Sequence, residues 1–125
     1  MDLESDVLGA DPHRLIVLLF DGAEAALMRA QESLAAKDVG GKSENLLKAI
    51  EIINDGLSAS LNLQAGGELA GNLKALYDFM VARLIHANIH MDAKAVSEVQ
   101  KLLGEISGAW RELGATLKKG SQPPA

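Results

Sequence analysis

The chain has 125 residues, no cysteine and a formal net charge of −5, with 48% hydrophobic and only 3% aromatic residues. That length makes one domain able to bury a core without staples, and the absence of cysteine excludes a disulfide framework and thiol catalysis and suits a reducing cytosol. An acidic balance whose one basic pair is Lys118-Lys119 argues against the basic stripe of a nucleic-acid binder.

With so few aromatics the core must be built from Leu, Ile, Val and Ala, which favours helices over a β-sandwich. No apolar run approaches the roughly 18 residues that would span a bilayer. The opening MDLESDVLGADP lacks the basic and apolar regions of a signal peptide. A cytosolic, all-helical domain without membrane insertion is expected.

Residues 1–10 read as a short N-terminal segment in which Leu3, Val7 and Leu8 have the spacing of one helical turn. A first helix is expected from Pro12 to about Ala36, with Asp11 as N-cap and Pro12 at the first position, where a missing N–H costs nothing. Six apolar residues follow unbroken from Leu15 to Phe20. The core stripe runs through Ile16, Leu19, Phe20, Ala23 and Leu27. A second line, Leu15, Leu18, Gly22 and Ala25, is left on an adjacent face, more apolar surface than one stripe about 100° wide requires.

Gly40-Gly41 reads as a stop, because glycine accepts the left-handed backbone of a helix end. A second helix then starts near Lys42 or Ser43, with Leu46, Ile50, Ile53, Leu57 and Leu61 on one stripe. Its neighbouring line is Ala49, Ile52, Gly56, Ala59 and Leu63, and Gly66-Gly67 ends it. The third helix is expected from Glu68 to His90, with Leu69, Leu73, Leu76, Met80, Leu84 and Ala87 inward. Asp92 is the N-cap of a fourth helix, whose stripe Val96, Val99, Leu103, Ile106, Trp110, Leu113 and Leu117 alternates steps of three and four. That heptad spacing implies gentle left-handed supercoiling against neighbours. Residues 120–125, with two prolines, read as a disordered tail. Helices of similar length with short connections give an antiparallel, up-down four-helix bundle over residues 11–119.

Several patterns imitate chemistry. Gly41-Lys42-Ser43 ends like a phosphate-binding P-loop, but Ala36 stands where the first glycine belongs and no strand precedes it. His86 and His90 share a helix face, yet Ala87 replaces the glutamate of a zinc-protease motif. No Glu lies three residues before His13, His86 or His90, as a di-iron bundle needs. Gly104 and Gly108 have the GxxxG spacing, which drives helix association in lipid. Asp21 and Arg83 are placed to pair across a contact of the first and third helices. No catalytic residue, metal or cofactor is expected.

What remains is surface shape. The lines through Gly22 and Gly56 carry small residues at their centres, which would let another helix approach closely. They equally suit packing inside the bundle, where each helix meets two neighbours. If they form a groove, replacing Gly56 with Leu should weaken a partner and leave the bundle folded.

The run Asp11-Pro12-His13-Arg14-Leu15-Ile16-Val17-Leu18-Leu19-Phe20-Asp21-Gly22-Ala23 strongly resembles the SPxxLIxMLYDGA start of the flagellin export chaperone family, FliS. The resemblance continues through Ala49 to Leu57, Gly67-Glu68-Leu69-Ala70, Asn72-Leu73, Leu76-Tyr77-Asp78-Phe79-Met80, Ala87-Asn88 and Trp110, over nearly the whole chain. It implies a cytosolic, non-enzymatic helical bundle. Such a bundle binds the disordered C-terminal segment of flagellin, blocks premature polymerisation and helps deliver the subunit to the flagellar type III export apparatus. Export gate components are expected as further partners, and a monomer or weak homodimer is the expected state. The alternative is a regulatory helical adaptor for another flagellar export or anti-sigma partner. Taken with the two small-residue lines, the resemblance makes Leu15, Leu18, Gly22, Ala25, Ile52, Gly56, Ala59, Leu63 and Tyr77 the expected partner-binding residues. Family members usually carry further N-terminal residues, often with tyrosines, that cap the groove, so MDLESDVLG implies a shortened or replaced cap.

Overall fold

The computed structural model describes residues 11–120, with side chains as far as Thr116. The expected N-terminal segment, the tail beyond Gly120 and the side chain of Leu117 lie outside the described residues. Four helices follow in order: α1 (Pro12–Ala35), α2 (Val39–Glu51, continued by a π-helical stretch Ile52–Ser58), α3 (Leu63–His90) and α4 (Ala93–Gly120). There is no strand among the described residues. α1 packs on α2 and α4, and α3 packs on α2 and α4, so α1 and α3 face each other across the diagonal.

The helix starts follow their caps. The Arg14 amide donates to Asp11 Oδ1 at 2.7 Å, and Pro12 occupies the first turn. At α4 the amides of Lys94 and Ala95 both donate to Asp92 Oδ1, at 3.1 and 3.2 Å. These bonds satisfy donors that every helix N-terminus leaves open. The Ala95 bond is the main reason that the Asp92 carboxyl lies below the usual carboxylate range, with His86 and Lys94 adding to it.

The expected glycine stop fails. Lys37, not glycine, takes the left-handed conformation after α1, with φ of 58°. Asp38 then caps α2, accepting from the Gly41 amide at 3.1 Å. Gly40 and Gly41 therefore belong to the helix. At Gly41 the reason is space: an added Cβ would lie 2.3 Å from Asp38 Oδ2 and 2.7 Å from Ser33 Oγ. Lys42 is buried against the last turn of α3 and donates to the Asn88 carbonyl at 2.7 Å, while Ser43 donates to Asn88 Oδ1 at 3.0 Å. The apparent P-loop ending is a clamp between two helices.

The core is aliphatic, as composition requires. Phe20, Leu27, Leu46, Ile53, Leu84 and Leu103 are almost fully shielded from solvent, each contributing roughly 1.5–3 kcal/mol by burial. In the first half of α3 the expected inward stripe is displaced by one residue. Ala70 and Tyr77 are buried, whereas Leu69 and Leu76 are exposed. The pairing of Asp21 with Arg83 is also corrected, because the diagonal separates their helices. Asp21 pairs with Arg111 of α4, which also stands 3.7 Å from Glu24, and Arg83 pairs with Glu98 at 3.0 Å.

Candidate partner-binding groove

The heptad stripe of α4 is buried through Val96, Val99 and Leu103, half-buried at Ile106 and Trp110, and exposed at Leu113. The bundle thus opens at one end, and an apolar groove of about 830 Å³ lies there. One wall is the start of α1, with Leu15, Ile16 and Leu19. The opposite wall is Leu61 with Leu69 and Leu73 of α3, and Ile106, Trp110 and Leu113 of α4 complete it.

Two local features shape this end. α2 finishes in the π-helical stretch, where Ser60 Oγ donates to the Leu57 carbonyl at 2.7 Å, and Asn62 caps α3 by accepting from the Ala65 amide at 3.0 Å. α3 is then kinked at Gly67, whose φ of 53° and ψ of −132° suit glycine alone. Gly66 before the kink and Leu69 after it both line the groove.

The end wall is a reciprocal latch between α1 and α4. The His13 and Trp110 rings stack with centroids 4.9 Å apart and planes within 6°. Trp110 Nε1 donates to the His13 carbonyl at 3.1 Å, and His13 Nε2 lies 2.7 Å from the Trp110 carbonyl. A carbonyl only accepts, so Nε2 carries the proton. The imidazole occupies the space beside Gly114, where an added Cβ would come within 2.1 Å of His13 Cε1.

Of the residues implicated by sequence, Leu15 and Tyr77 line the groove. Gly22, Ile52 and Gly56 meet at the seam of α1 and α2 instead. A Cβ on Gly22 would sit 3.3 Å from Ile52 Cδ1, and one on Gly56 would sit 3.0 Å from Leu19 Cδ2. The close approach these glycines allow is made by the chain's own side chains. Leu18 and Ala25 are half-buried on α1, and Ala59 and Leu63 are exposed at the α2–α3 connection. Sequence reasoning assigned Leu69, Ile106, Trp110 and Leu113 to the interior. The missed signal was the mismatch between an apolar stripe running to the end of α4 and the polar, glycine-containing start of α3.

The groove offers surface rather than reactive groups. Tyr77 is 4% exposed, and burial pushes its hydroxyl up to about 12. The remaining histidines are elsewhere: His86 and His90 have ring centroids 4.5 Å apart, and His86 Nε2 lies 3.3 Å from Asp92 Oδ2. Among the described residues no group of three or more His, Cys, Asp or Glu is placed to hold a metal, and no helix is long and apolar enough to cross a membrane.

The family model described as flagellar protein FliS matches residues 1–117. The flagellar secretion chaperone FliS of Salmonella typhimurium is 50% identical over 113 residues, covering 90% of this chain and 84% of the relative. The Escherichia coli flagellar secretion chaperone FliS is 44% identical over 110 residues, with 88% and 81% covered. That of Bacillus subtilis is 32% identical over 109 residues, with 87% and 80% covered. With the helical order, the apolar groove and this likeness along nearly its whole length, the chain belongs to the FliS family of flagellar secretion chaperones.

Proposed function

We propose that this chain is the cytosolic export chaperone of a flagellin, a binding protein and not an enzyme. It holds the C-terminal segment of flagellin, prevents premature polymerisation and assists delivery to the flagellar type III export apparatus. The observation that carries the reading is the open apolar groove between Leu15, Leu73 and Leu113. An amphipathic segment that cannot bury its own apolar face stays disordered in water. Laid in the groove it covers Leu69 and Leu113, which are 69% and 46% exposed, and folds as it binds.

Leu15 and Tyr77 form the groove contact, and the segment continues past Ala59 and Leu63 at its mouth. Leu18, Gly22, Ala25, Ile52 and Gly56 support the α1 wall from behind. Export gate components meet the loaded complex. The free chaperone is a monomer or a weak homodimer.

The test is calorimetric titration with flagellin C-terminal peptides of about 40 residues, long enough at 1.5 Å per helical residue to fill the groove and run beyond it. A 1:1 complex with a strongly negative heat-capacity change is expected, the mark of buried apolar surface and coupled folding. A folded chain that binds none of several such peptides would overturn the reading.

A further inference from the structure

We infer that Tyr77 sets the register of the bound segment: its hydroxyl hydrogen-bonds one neutral polar side chain, an amide or a hydroxyl, placed at a single position of the segment's otherwise apolar face. The inference rests on the proposed role of the groove as a flagellin-segment site, and deepens it.

Tyr77 lines the groove and is 4% exposed, yet its hydroxyl makes no hydrogen bond among the described residues. Its polar neighbours are differently placed. His13 Nε2 and Trp110 Nε1 each donate to the other residue's carbonyl, Ser60 Oγ is bonded to the Leu57 carbonyl, and Asn62 uses its side-chain oxygen as a cap on an exposed residue. In the free groove the Tyr77 hydroxyl can turn to water. A segment seated over it removes that water, and a buried hydroxyl left unpaired is penalised by its full desolvation. The occupant must therefore bring a partner.

The chemistry of that partner follows from the walls. The groove lining contains no Lys or Arg, and the chain as a whole is acidic, so a carboxylate would be buried without a counter-charge. An ammonium group would find only the neutral oxygens of Tyr77, Ser60 and Asn62 among apolar side chains, again too little to offset its lost hydration. A phenol is protonated at physiological pH, the more so when burial raises its pKa, so it can donate to, or accept from, an amide or hydroxyl. Ser, Thr, Asn and Gln fit. A shift of the segment by one helical turn would set an aliphatic side chain on the hydroxyl, so a single polar pair selects one alignment, as one buried Asn does in a coiled coil.

The experiment is a double-mutant cycle between Tyr77→Phe and peptide variants in which each neutral polar residue is replaced in turn by an apolar residue of similar size. Tyr77→Phe should lose roughly tenfold in affinity for the parent peptide, and one peptide variant should lose about as much against the unaltered chain. That variant paired with Tyr77→Phe should return to within about threefold of the original pair, because both partners of the bond are then apolar.

Tyr77 is the only tyrosine, so 13Cζ-tyrosine labelling of the unaltered chain gives one resonance that reports its hydrogen bond. Its shift should change with the parent peptide and take a different value with the coupled variant, which leaves the hydroxyl dry and unpaired, a readout that serves even if Tyr77→Phe fails to fold. Tight binding with additive losses at every position and the same bound resonance for every peptide variant would overturn this inference and leave the function standing. No binding by the unaltered chain would overturn both.

Discussion

Gly114→Ala should destabilise the bundle, although alanine is the better helix former by about 1 kcal/mol. The new Cβ would fall 2.1 Å from His13 Cε1 and 2.3 Å from Nε2, so the imidazole must leave its place. With it go the 2.7 Å hydrogen bond to the Trp110 carbonyl and the stack on the indole, worth about 1 kcal/mol for the bond and about 1 kcal/mol for the rings. The net loss is about 1 kcal/mol, a fall of about 3–6 °C in Tm for a chain of this size. His13→Ala alone should cost about 2 kcal/mol by the same terms. In that background the clash is gone, and Gly114→Ala should now stabilise by about 1 kcal/mol through helix propensity. Urea unfolding of the four proteins, followed by far-UV circular dichroism and by the fluorescence of the one tryptophan, measures the cycle. The same sign for Gly114→Ala with and without His13 would refute the latch.

Gly56→Leu should register chiefly on stability, by about 1–3 kcal/mol of overpacking against Leu19, and denaturant unfolding beside peptide titration separates this from a loss confined to binding. A double-mutant cycle of Asp21 and Arg111 should show a small coupling, at most about 1 kcal/mol for so exposed a pair, whereas Asp21 with Arg83 should show none. The Asp92 carboxyl is held below its ordinary value near 3.8, first by the Ala95 amide. Its stabilising contribution is therefore full above that value and lost as pH falls through the lower folded one. Melts between neutral and acid pH should show a shallower acid limb for Asp92→Asn, which keeps a competent cap but cannot titrate.

The caps and the core period were legible because both are local. Asp11 and Asp92 stand where a side-chain oxygen can reach the next turn, and the α4 stripe needs only a repeat of three and four to be seen. The first glycine pair misled because composition says where a left-handed residue is easy, not where it is used. Asp38 offered a better helix start, and Lys37 took the strained position next to it. The register of α3 was missed because Leu69 and Leu76 outweigh Ala70 and Tyr77 in hydrophobicity. The backbone turn at Gly67 resets which face of α3 meets the bundle, and hydrophobicity alone does not show that reset. The seam between α1 and α2 posed the same difficulty: periodicity marks Gly22 and Gly56 as places of close approach without saying whose side chain approaches. The groove needed the tertiary arrangement, since it is defined by which stripe lacks a facing neighbour.

That arrangement also divides the labour among the leucines. Leu46, Leu84 and Leu103 are fully shielded and hold the bundle together whether or not the groove is filled. Leu69 and Leu113 are exposed in the free chain, so they add little to its stability, and under the proposed function they gain their burial when a segment covers them. A bundle whose four helices closed evenly would bury these side chains and leave nothing for a partner. The kink at Gly67 and the π-helical end of α2 keep that end open, while the His13–Trp110 latch ties α1 to α4 beside the opening. The groove is thus already formed in the free chain, which lowers the ordering left for binding. Substitutions at its mouth can retune affinity for a client segment without unfolding the scaffold, because sites well separated from the core act nearly independently of it.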